Sequence, residues 1–112
     1  MNESLFKNLD RRNDPLWIAK EFFNSFNNIL FPSTMQYLIE GTGYASEYNG
    51  CEFPSDLDED DEPFEGVRFR YDDDEIVVTE EAFRKCLIAA CERYREMNPA
   101  RSDEIDQLLS EL

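Results

Sequence analysis

The chain predicts an α+β fold in which a β-hairpin, with room for a short third strand, packs against about four helices. Three observations carry this. Apolar residues recur at three- and four-residue spacing before residue 40 and again after residue 79, whereas the stretch between Val67 and Val78 alternates with period two. Leu, Ile, Val and Phe make up a quarter of the 112 residues, enough to build a core and above the range of disordered chains. Such a length suits one domain, residues 1–112, and is short for two.

Residues 2–13 are polar, with Leu5, Phe6 and Leu9 inserted. They read either as one short helix docked by those three side chains or as a loosely attached lead-in, 1–13. Asp14-Pro15 then reads as a helix start, because the aspartate caps free amides and proline at the first helical position gives up a hydrogen bond that has no partner there. Ala19, Phe22, Phe23, Phe26, Ile29 and Leu30 follow at helical spacing and are expected on one buried face. Pro32 should end this helix. Ser33 should cap a second, with Met35, Leu38 and Ile39 facing inward until Gly41 and Gly43.

The segment from Gly41 to Gly50 looks like a loop or a weak edge strand whose Tyr44 and Tyr48 border the residues that follow. Residues 52–66 read as an acidic loop. Beyond it Val67, Phe69 and Tyr71 alternate with Arg68 and Arg70, the mark of a strand with one wet face, and Val67 and Phe69 are assigned to the core. Asp72 to Asp74 supply a turn, and Glu75 to Val78 a second, β-branched strand that pairs as a hairpin. A lone hairpin is marginal in water, so it must lie on the helices.

Thr79 with Glu80 and Glu81 marks a helix start, hydroxyl cap first and acids in the opening turn. Phe83, Leu87, Ala90, Cys91 and Tyr94 share its inner face, and it should stop before Pro99. A last helix capped by Ser102 places Ile105, Leu108, Leu109 and Leu112 on one stripe.

Charge narrows function. The chain carries −15 at neutral pH, and the stretch Cys51 to Glu75 sets twelve carboxylates against Arg68 and Arg70 alone. Such a field attracts cations and basic proteins and repels nucleic acid. No histidine is present, which removes the commonest general base and zinc ligand. Three cysteines, an odd number, argue for reduced thiols, with Cys86 and Cys91 about 140° apart around a helix. Asp56, Asp58 and Asp60 match the first three ligand positions of a calcium loop, but Asp61 stands where glycine makes the turn and Val67 where a bidentate glutamate is needed. Carboxylate-pair catalysis needs an apolar enclosure that this polar run lacks. No catalytic residue, metal site or cofactor is therefore assigned. The N-terminus lacks the pattern of an export signal and no apolar run is long enough for a bilayer, so the expected location is the cytoplasm, without membrane or nucleic-acid contact.

Aromatic residues interrupt the acids at Phe53, Phe64 and Tyr71, where a merely solubilising tail has few. The expected site is thus a recognition surface for a basic protein, with Asp56, Asp58, Glu59, Asp60, Asp61, Glu62, Asp72, Asp73 and Asp74 meeting Lys and Arg, and Phe53, Phe64 and Tyr71 as anchors. Its competitors are an acidic protein that binds divalent cations and a nucleic-acid mimic that inhibits a host nucleic-acid-binding protein.

The runs Gly50 to Asp58, Pro63 to Val67, Asp74 to Val78 and Ala90 to Tyr94 resemble the immunity proteins of bacterial contact-dependent growth inhibition systems, the group directed against ribonuclease toxins. The likeness spans roughly Phe22 to Leu109. It implies a small cytoplasmic protein that binds the C-terminal nuclease domain of a large surface toxin, of which an EndoU-like ribonuclease is one candidate, and blocks its active site.

Overall fold

A computed structural model describes residues 5–6, 9–26 and 29–112. Helix α1 spans Trp17–Asn24 and α2 Phe31–Ile39; four strands follow, β1 Tyr44–Ala45, β2 Asn49–Glu52, β3 Val67–Tyr71 and β4 Asp74–Val78; α3 Glu80–Met97 and α4 Ser102–Ser110 close the chain. The strands form one antiparallel sheet in the order β1-β2-β3-β4. The fold is α+β, with one strand more than the hairpin and third strand expected.

Residues 41–50 hide that extra pairing because Asn49 and Gly50 are poor strand formers. Tertiary contacts compensate for both. The Asn49 side-chain amide donates to Ser25 Oγ at 2.6 Å while its Oδ1 accepts from Ser46 Oγ at 2.7 Å, so a buried amide is satisfied on both sides. At Gly50 a Cβ would come within 3.3 Å of the Arg70 guanidinium, which crosses the strand there and donates to the carbonyls of Ser46 and Asn49. Arg70 thus clamps the β1–β2 turn. Glu52 belongs to β2, and the acidic loop begins one residue later than expected, through a short turn at Pro54–Asp56.

One face of the sheet carries the core. Cys51, Phe69 and Val67 are buried on it, α1 lies across β2, β3 and β4, and Phe69 meets the rings of Phe22, Phe23 and Phe83 at centroid distances of 5.3, 5.6 and 6.0 Å. Each fully buried ring of this kind contributes about 2–3 kcal/mol. Helix α3, capped by Thr79 as the sequence predicts (Ala82 N–H to Oγ1, 3.0 Å), packs on α1 and α4. Of the lead-in, Leu5 lies in the core, and the backbone of Phe6 exchanges two hydrogen bonds with the Asn24 side chain.

Helix α1 is shorter than its apolar pattern. Asp14 accepts the Leu16 amide at 2.9 Å, as a cap would, yet the helix starts only at Trp17, leaving Pro15 in a turn. Its end falls at Asn24, where Ser25 Oγ donates back to the Phe22 carbonyl. Ile29 (70%) and Leu30 (59%) are consequently exposed rather than facing the core. Pro32 does not end a helix; it sits in the first turn of α2, where a missing amide costs nothing, and Ser33 donates to the Leu30 carbonyl instead of capping. The other end of α2 follows expectation. Gly41, at φ +82°, closes a Schellman motif in which its own amide bonds to Leu38 and that of Thr42 to Tyr37. Ser102 is the first residue of α4, not its cap, since a 3-10 turn at Pro99–Arg101 leads directly into that helix.

Candidate functional site

The expected acids fall into two groups at opposite ends of β3. Asp56, Asp58, Glu59, Asp60, Asp61 and Glu62 lie in the loop that precedes the strand, and Asp72, Asp73 and Asp74 lie in or beside the turn that follows it; all nine are exposed. At about 3.3 Å per residue, the two ends of β3 that carry these groups are about 13 Å apart.

The loop is ordered by its own carboxylates. Asp56 Oδ2 accepts the Phe53 amide at 2.8 Å and Asp61 Oδ2 the Asp58 amide at 2.9 Å, so these two act as local turn makers while Glu59, Asp60 and Glu62 project into solvent. At the far end Asp72 adopts φ +57°, the left-handed region, as the first residue of a two-residue hairpin loop. Aspartate tolerates that geometry better than most residues.

The three aromatic candidates separate. Phe64 is half-buried beneath the Arg68 guanidinium, 4.8 Å from the ring centroid, on the side of the sheet that no described helix covers. Phe53 is half-buried and turned edge-on to Phe83 of α3 at 5.5 Å. Tyr71 is half-buried beside Glu21 of α1; burial first, then the Glu21 charge, pushes its phenol above the ordinary value. Of the three, Phe64 alone belongs to the helix-free face.

That face is made by the outward residues of the central strands. In register across the sheet it presents Glu52 opposite Arg68, Arg68 opposite Val77, and Arg70 opposite Glu75. Arg68 donates to both oxygens of Glu52, at 3.3 and 3.0 Å, and Arg70 is occupied by carbonyls, so both arginines are engaged within the chain. Val77 is an apolar residue on this wet face, 47% exposed. Beside it an open groove of about 680 Å³ runs between Phe64, Pro54 and the β4–α3 junction. The groove escaped sequence reading, although Val77, an apolar residue in phase with the charged Glu75 on the wet face, is the signal that could have found it.

No group of three or more Cys, Asp or Glu side chains among the described residues converges as metal ligands would. Cys51, Cys86 and Cys91 are free and buried; burial, aided at Cys91 by Glu92, pushes that thiol up to about 12, and burial with the Asp56 and Glu52 charges raises Cys51 further. Neutral thiols of this kind are poor nucleophiles.

Compared with protein families, residues 15–109 match the family described as CDI immunity protein. The chain belongs to that family. It is therefore an immunity protein, of the kind that neutralises a toxin of contact-dependent growth inhibition. Curated proteins returned no match. The family match covers all four helices nearly to the end of α4, the whole sheet, and both acidic groups of the immunity protein. No helix among the described residues is long and apolar enough to cross a membrane.

Proposed function

We propose that the immunity protein neutralises a nuclease toxin, a ribonuclease and by resemblance an EndoU-like one, by laying its acidic surface over the basic region where the toxin's C-terminal domain holds RNA. It does so in the cytoplasm, without cofactor, metal or catalysis. One observation carries the reading: nine exposed carboxylates gather at the two ends of β3, and the two arginines of that stretch, Arg68 and Arg70, are both engaged within the chain. Like charges gathered on a folded domain repel one another and cost stability, so their retention calls for a compensating cation. A protein that holds polyanionic RNA supplies such cations at its active site. Fully desolvated contacts would give the complex its lifetime, and the exposed acids its rate of encounter.

The test uses the C-terminal nuclease domain of the cognate toxin. Replacing Asp58, Glu59, Asp60, Asp61 and Glu62 together by their amides should slow association by about tenfold or more at low salt, flatten the salt dependence and raise the concentration needed to stop RNA cleavage. Unchanged association with an unchanged salt slope would remove the acidic surface from the mechanism.

A further inference from the structure

We infer that the helix-free face of the sheet is the face on which the toxin docks, bridging both acidic groups, with one apolar side chain of the toxin seated in the groove between Phe64 and Val77. This rests on the acidic-surface reading above and adds to it where the partner lies and what it must present. The two acidic groups lie at opposite ends of one strand, and a single partner can engage both only by lying along that strand. On its inner side β3 is packed under α1, with Phe69 and Val67 fully buried, so the outer side is the available one. There the charge is already balanced within the chain. Glu52 holds Arg68, and Arg70 holds the β1–β2 turn, which leaves a nearly neutral strip between two anionic ends.

The apolar contact follows from the groove. Its lining combines the apolar Pro54, Phe64, Val77 and Val78 with the acidic Glu65 and Glu80. Val77 is nearly half exposed, next to the last residue of a strand whose other outward residue, Glu75, is charged. An apolar lining flanked by acids suits an interface centre, in which a desolvated anchor is bordered by charges that disfavour wrong partners. The groove lies at the loop end of β3, where Gly66 abuts Val78. The toxin should thus present two clusters of Lys and Arg that match the two ends of a strand about 13 Å long, with an aliphatic or aromatic side chain nearer the cluster that meets the loop.

The experiment compares three variants against the same toxin domain by calorimetry and stopped-flow mixing. Val77→Arg places a bulky cation in the groove and should weaken binding by about a hundredfold, mostly through faster dissociation. Val77→Thr keeps the shape and the strand propensity and should weaken it about threefold to tenfold, which covers the case in which Val77→Arg fails to fold. Tyr37→Ser, on an exposed position of α2 (57%), should leave affinity unchanged. Amide resonances of residues 66–70 and 75–79 should shift when unaltered protein meets the toxin. If both Val77 variants bind like wild type while the amide substitutions in the loop weaken binding, the toxin meets the loop alone and this inference falls, with the acidic reading intact. If neither set weakens binding, both fall. A loss confined to Tyr37→Ser, with shifts confined to α2 and α4, would place the interface on the helical side and overturn the inference.

Discussion

Arg68 grips Glu52 across the β2–β3 pairing with both a 3.3 Å and a 3.0 Å hydrogen bond while its guanidinium plane covers Phe64, so one cation ties the sheet to the acidic loop. The Glu52 hydrogen bonds, the largest influence, hold its pKa above the ordinary arginine value. The pair is partly exposed, which limits its worth. Arg68→Gln should lower stability by about 0.5–1 kcal/mol at low ionic strength. Urea unfolding repeated at about 1 M salt, where the Debye length is about 3 Å, should narrow the gap to wild type.

Phe31 and Tyr94 stack with centroids 4.3 Å apart and planes 10° from parallel, pinning the start of α2 to the end of α3. Both rings are fully buried. Phe31→Ala should cost about 3–5 kcal/mol, whereas Phe31→Leu, which keeps most of the volume, should cost less than half as much. Thermal melts of the two variants check the ratio.

Asp72 holds a left-handed backbone where a two-residue hairpin ordinarily uses glycine. Asp72→Gly should therefore raise stability by about 0.5–1 kcal/mol, despite the greater freedom glycine gives the unfolded chain, because it removes the strain of a side chain at positive φ and one of three adjacent charges. Its urea midpoint should rise at unchanged slope, and association with the toxin should slow slightly through the lost charge. A lower midpoint would mean that the carboxylate itself supports the turn.

Asp14 accepts a 2.6 Å hydrogen bond from Lys20 Nζ, which chiefly accounts for its lowered pKa. A carboxyl whose folded pKa lies below its unfolded value of 3.8 contributes stability above that value and loses it as pH falls through the folded one. Asp14→Asn should accordingly cost about 1 kcal/mol at pH 7 and nothing once the wild-type carboxyl is protonated. The difference between variant and wild type is the quantity to follow. Acidification also relieves repulsion among the many other carboxylates, and that shared gain cancels in the comparison.

Much of the fold can be read directly from residue spacing. The 3.6-residue pattern from Phe83 to Tyr94 and the period-two pattern from Val67 to Val78 both survive in the structure, because in each the local preference and the tertiary demand agree. The first hairpin is illegible for the opposite reason. Asn49 and Gly50 are strand residues only because Ser25, Ser46 and Arg70 satisfy them from elsewhere in the chain. Ile29 and Leu30 continue the helical rhythm of α1 but fall beyond the point where Ser25 bonds back to Phe22, and periodicity contains no mark of that stop. At the candidate site the acids were legible as composition. Their division between the two ends of β3, the inward turn of Phe53 and the groove at Val77 depend on sheet register, which only the completed fold supplies.

The sheet runs β1-β2-β3-β4, each strand bonded to the one made just before it. No strand waits for a distant stretch of polypeptide before it can pair, so ring-closure entropy stays small and this layer belongs to the rapidly assembling kind. For an antidote, such neighbour-to-neighbour pairing favours early competence of a newly made copy.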